Sequence, residues 1–150
     1  MRKTKGFSLI ELLIVVAIIL IIAAIAIPNL VKSKMAANEA SAVGSTRTIT
    51  TSELTYSSLY PSTGYTSLAN LGSASLIDTT LAAGTKSGFT FTIGTSGTPA
   101  TGFTANANPT TPGSTGTNYY CSDQTGVIQR GTASFGTSTN PCSGGTPIGN

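Results

Sequence analysis

The residues best placed to do chemistry are Glu11 and the two cysteines, Cys121 and Cys142. Glu11 stands at the mouth of sixteen uninterrupted apolar residues, 12–27. A carboxylate carried into lipid costs about 2.5–3.5 kcal/mol on insertion scales, so it needs a partner. The cysteines, in an exported chain, form one disulfide by default. It would close a loop of about twenty residues and contribute roughly 3 kcal/mol on the chain-entropy model; two free buried thiols are the alternative. Catalysis is not expected. The chain has no histidine, so a serine or cysteine nucleophile lacks its usual base. The five acidic residues are scattered and form no evident carboxylate pair or metal cluster. Neither a cofactor nor a metal is expected. Gly84-Thr85-Lys86-Ser87 lacks the Gly-Lys-Ser/Thr order of a phosphate loop and reads as a turn before the next strand.

Charge narrows the partners. The formal charge is +3, and Arg2, Lys3 and Lys5 supply all of it. Beyond Gly6 there are five basic and five acidic side chains, so the body is balanced. Such a body is a poor electrostatic binder of nucleic acid, and no specific nucleic-acid partner is expected.

Three readings of the N-terminal stretch compete. In the first it is an ordinary secretory signal cut after Ala24-Ile25-Ala26, which would release a soluble binding domain. In the second it is a plain membrane anchor. Residues 7–27 span about 31 Å as a helix, enough for a bilayer, and the three positives hold that end in the cytoplasm. Neither reading explains Glu11. In the third, cleavage after Gly6 gives Phe7 a new α-amino group four residues before Glu11. Within one helix the amine and the carboxylate are poorly placed to meet. Between staggered copies they can meet, and the pair would fix the axial register of two otherwise featureless apolar rods.

The third reading coincides with a resemblance. Gly6-Phe7-Ser8-Leu9-Ile10-Glu11-Leu12 resembles the processing and methylation motif of type IV pilins and of their secretion-system relatives, the pseudopilins; the likeness is close over the first thirty residues. It implies cleavage between Gly6 and Phe7 by a prepilin peptidase, N-methylation of Phe7, an assembly role for Glu11, and a helix kink at Pro28. It also implies a precursor held in the inner membrane, a self-assembled extracellular filament, and an inner-membrane assembly platform as partner. The short leader and N-terminal Phe are similar to the type IVa group. The alternative within the superfamily is a type II secretion pseudopilin. Against it, the last seventy residues hold a single acidic side chain, Asp123, where major pseudopilins carry an acidic calcium-binding loop.

The elements that must position these residues follow from pattern. Residues 1–6 are the expected leader, 7–28 a membrane and filament-core helix, and 29–60 its extension into a head formed by 61–150. Met35, Ala42, Ile49 and Tyr56 recur every seven residues, with Val31 and Val43 near the same face. Pro61 and Gly64 stop the helix. A helical turn is expected around 76–81. Strict alternation at Phe89, Phe91 and Ile93, and again over 103–107, marks strands. Residues 118–121 and 127–130 read as a hairpin pair. The expected fold is α+β: a long N-terminal hydrophobic helix packed against a small antiparallel sheet of three or four strands. Residues 131–150 are polar and rich in Gly, Ser and Thr, and order there depends on the cysteine bridge; the resemblance makes them the surface-exposed variable region.

Overall fold

A computed structural model describes residues 6–136 and 141–149. The three basic residues of the expected leader, Arg2, Lys3 and Lys5, lie outside the described residues. The chain divides into two compact units, Met1–Lys34 and Met35–Asn150. The first helix, α1 (Leu9–Leu59), contributes to both.

In the first unit residues 12–27 of α1 are apolar on every side, and among the described residues nothing covers them. Leu9, Ile10, Leu12 and the following large side chains through Ile27 are all exposed. By length and composition this helix is able to cross a membrane. A helix hydrophobic all round is stable only within lipid or among other helices. Pro28 lies inside α1 and does not end it. Its missing N–H leaves one carbonyl of the preceding turn without a helical donor.

The second unit is built on a six-stranded antiparallel sheet in simple meander order. Its strands are β1 (Thr85–Lys86), β2 (Phe89–Ser96), β3 (Gly102–Pro109), β4 (Tyr119–Asp123), β5 (Ile128–Gly131) and β6 (Thr146–Ile148). Two short helices, α2 (Leu68–Ser73) and α3 (Thr79–Ala82), lie in the connector between α1 and the sheet. The α+β class is as expected, but the sheet has six strands rather than three or four. The extra ones are its edges. β1 joins β2 through Ser87 and Gly88, both at positive φ (50° and 73°), the geometry of a two-residue hairpin turn. β6 includes Pro147, which an edge strand tolerates.

One face of the sheet and one stripe of α1 share a core. Register places Phe91, Ala107 and Tyr120 in one row across β2, β3 and β4, and Ile93, Ala105 and Ser122 in the next. Phe89, Phe91, Phe103, Ala105, Ala107, Tyr120 and Ile128 are buried there with Ala42 and Ile49 of α1. Of the seven-residue stripe Ala42 and Ile49 are buried and Tyr56 packs against the core; Met35 is half-buried and Val31 remains exposed. The connector adds Leu68, Leu71, Ile77 and Leu81. The helical turn expected at 76–81 appears as α3, begun by Asp78, whose Oδ1 accepts the Leu81 N–H at 2.8 Å. α2 follows the same logic with Ser67 as its cap.

The middle of the opposite face is also buried, although most of its residues are polar. Thr104, Asn106, Cys121 and Asp123 are all 2% exposed or less. The C-terminal segment is tied to this face. Cys121 and Cys142 form a disulfide with Cα atoms 6.0 Å apart. The Cys142 N–H donates to Asp123 Oδ2 at 2.9 Å, and Gln129 Nε2 donates to the Cys142 carbonyl at 2.8 Å. Asp123 Oδ1 also accepts the Thr125 N–H and hydroxyl, which closes the β4–β5 turn.

Candidate functional site

The geometry around Glu11 begins with Ser8. The first helical bond of this end runs from the Leu12 N–H to the Ser8 carbonyl at 3.2 Å, which makes Ser8 the capping residue. Glu11 is the third residue of the helix, and its Oε2 accepts the Ser8 N–H at 2.9 Å. This is one half of a capping box, Ser-x-x-Glu, in which the side chain satisfies a backbone donor that the helix cannot. A negative charge in the first turn also complements the helix dipole. Among the described residues Glu11 Oε1 takes no hydrogen bond. The carboxylate therefore caps its own chain with one oxygen and keeps the other free. Phe7, just outside the helix, is 92% exposed, and Gly6 has open space around the position of a Cβ.

A second carboxylate, Glu39, was not singled out by the sequence. It lies on α1 within the second unit and takes four hydrogen bonds from the loop leading into β4 and a fifth from Tyr120 of β4 itself. Oε1 accepts the Thr117 N–H at 2.7 Å, the Thr117 hydroxyl at 3.0 Å and the Asn118 N–H at 3.1 Å. Oε2 accepts Asn118 Nδ2 at 2.9 Å and the Tyr120 hydroxyl at 3.2 Å. Partial burial disfavours its charge, but the donors from Thr117 and Asn118 outweigh that and hold the carboxyl down at about 2. Burial and then the Glu39 charge push Tyr120 up to about 12. Gly116 leaves room for this junction: a Cβ there would sit 2.6 Å from Phe89 Cζ and 3.4 Å from Glu39 Cγ. The arrangement clamps sheet to helix. It offers no nucleophile or proton relay.

Asp78 is engaged as well. Asp78 pairs with Lys86 Nζ at 3.0 Å; the Leu81 N–H, followed by Lys86, lowers its pKa. No group of three or more potential metal ligands occurs among the described residues.

Comparison with known proteins bears on the N-terminal segment. The family described as the prokaryotic N-terminal methylation motif matches residues 1–27. The N-terminal segment carries this prokaryotic methylation motif. A relative, the type IV wide pilus major component PilA4 of Thermus thermophilus, is 62% identical over 39 residues. That stretch covers 26% of this chain and 30% of the relative's length. No solved structure matches the chain. In this segment the Glu11 carboxylate, the exposed Phe7 and the exposed apolar side chains belong to one continuous stretch, while the disulfide and the Glu39 clamp belong to the second unit.

Proposed function

We propose that this protein is the structural, non-enzymatic subunit of an extracellular type IV pilus. The observation that carries the proposal is the Glu11 carboxylate at the entrance of an exposed apolar helix, with one oxygen held by Ser8 and the other without a hydrogen bond among the described residues. Before assembly, residues 7–28 hold the precursor in the inner membrane. A prepilin peptidase cuts between Gly6 and Phe7, and the new Phe7 amine is methylated. Each incoming subunit then presents the free oxygen of Glu11 to the Phe7 amine of a neighbour, while the other oxygen goes on capping the helix. Two charges that are costly apart in lipid neutralise each other and set the stagger of adjacent helices.

Apolar helices exchanging lipid for one another gain little hydrophobic energy, so packing and this ion pair select the assembled state. Pro28 loosens the helix near the end of the apolar run and lets it stretch within the filament. The heads face outward, with the disulfide-tied C-terminal segment at the surface. Intact-mass spectrometry of protein sheared from the cell surface tests the reading. The expected species begins at Phe7 and is one methyl group heavier than the unmodified chain. A species beginning after Ala26 would make the segment an ordinary signal peptide and the head a released soluble domain.

A further inference from the structure

Glu53 is the one carboxylic acid of the described chain with an enclosed oxygen that meets no donor. It lies on α1 within the second unit and is 0% exposed. Oε2 accepts the Thr66 N–H at 3.0 Å; Oε1 is buried and unpartnered. The neighbouring Ser52 hydroxyl donates to the Leu76 carbonyl at 3.0 Å. Two adjacent side chains of α1 thus hold the two ends of one connector stretch, Thr66 and Leu76, with α2 between them. Thr66 is itself 5% exposed and takes a bond from Asn70 Nδ2 at 2.8 Å.

An ionised carboxylate in this place would have one hydrogen bond and no counter-ion. The other titratable groups in this part of the fold are Arg47 and Tyr56 on α1, Tyr60 just after it and stacked on Tyr56, Tyr65 beside Thr66, and the Asp78–Lys86 pair at α3. None of them acts on Glu53, and α2 carries no charge. A buried charge so poorly compensated is relieved either by taking up a proton or by letting water in. We propose that Glu53 is a proton-operated latch: as the neutral acid it holds the connector on α1, and on losing its proton it lets the stretch from Thr66 to Leu76 open to water.

Burial, only partly offset by the Thr66 N–H, raises the carboxyl from 4.5 to about 7. The folded value is the higher one, so the stability that Glu53 contributes is fully present below pH 4.5. It declines from there and is gone once the pH has risen through about 7. The device therefore operates between mildly acidic and neutral surroundings.

The test uses the full chain in detergent micelles. Amide hydrogen exchange, corrected for its intrinsic pH dependence, is compared near pH 5 and near pH 8.5 for the peptide covering residues 60–77, with β2–β3 as the internal control. The latch predicts opening of the connector about ten-fold or more faster at the higher pH, with β2–β3 unchanged relative to it. In Glu53→Gln, which keeps the acceptor for Thr66 and cannot ionise, the difference disappears. Equal protection at both pH values, or the same difference in Glu53→Gln, would overturn the proposal. Infrared spectroscopy of the unsubstituted chain provides a readout that needs no variant. One protonated carboxyl group should persist at pH 6, and its absence there would overturn the proposal even if Glu53→Gln failed to fold.

Discussion

Glu11 Oε2 accepts the Ser8 N–H at 2.9 Å, and among the described residues Oε1 takes no hydrogen bond. A residue that the proposed assembly pairs with another chain is thus already anchored within its own. The anchoring fixes where the free oxygen points, so that little side-chain freedom remains to be lost when a neighbouring amine arrives.

The two roles of Glu11 separate by substitution. Glu11→Gln keeps an acceptor for the Ser8 N–H and removes the charge; Glu11→Ala removes both. Both variants should insert and be cleaved normally, and both should yield few or no filaments in a shearing assay. Only Glu11→Ala should also fray the first helical turn, at a cost of about 1 kcal/mol, read as faster amide exchange at the N-terminus. Normal filament yield from Glu11→Gln would count against charge pairing.

The Glu39 clamp should fail in acid. Its folded pKa, about 2, lies below the ordinary 4.5, so its contribution is present above pH 4.5 and is lost as the pH falls through about 2. Replacing Glu39 by Ala strands donors from Thr117, Asn118 and Tyr120 and should cost the head about 2–3 kcal/mol at neutral pH. Thermal unfolding against pH checks both statements: the drop below pH 4.5 should be shallower in the variant.

Gly116 gives a steric test of the same junction. Gly116→Ala drives a methyl group against the Phe89 ring, and overpacking of this kind costs about 1–3 kcal/mol. A melting temperature equal to that of the unsubstituted chain would show that Phe89 moves aside freely.

Reducing the Cys121–Cys142 bond should release the C-terminal segment from the polar face of the sheet. The loss should be roughly 3 kcal/mol on the chain-entropy model for a separation of 21 residues. Exchange should rise at β6 and at the Cys142 amide while β2 and β3 keep their protection. Unfolding of the whole sheet on reduction would mean that the bridge supports the core itself.

Much of this was legible in the sequence where one period ruled. The alternation Phe89, Phe91, Ile93 and the stripe Ala42, Ile49, Tyr56 name the core because each runs along a single element. The Ser8–Glu11 cap was legible in principle as Ser-x-x-Glu, but the charge at the edge of an apolar run drew the reading elsewhere. Glu39 was not legible, because its donors lie 78 to 81 residues away along the chain. Nor was the burial of Glu53, Thr46 and Thr50: a polar residue inside a helix looks like a solvent-facing one until its partner is known. Thr46 and Thr50 are satisfied by carbonyls one turn back, those of Ala42 and Thr46. β6 was hidden for another reason. Its order depends on a cross-link and on Asp123 and Gln129, not on its own composition.

The most direct measurement is an electron cryomicroscopy map of the purified filament at side-chain resolution. The account predicts a Glu11 carboxylate oxygen within about 4 Å of the Phe7 nitrogen of a neighbouring subunit, with the Ser8 N–H still bound by the other oxygen. A filament of this chain in which Glu11 touches only its own Ser8, with every Phe7 amine held elsewhere, would contradict it.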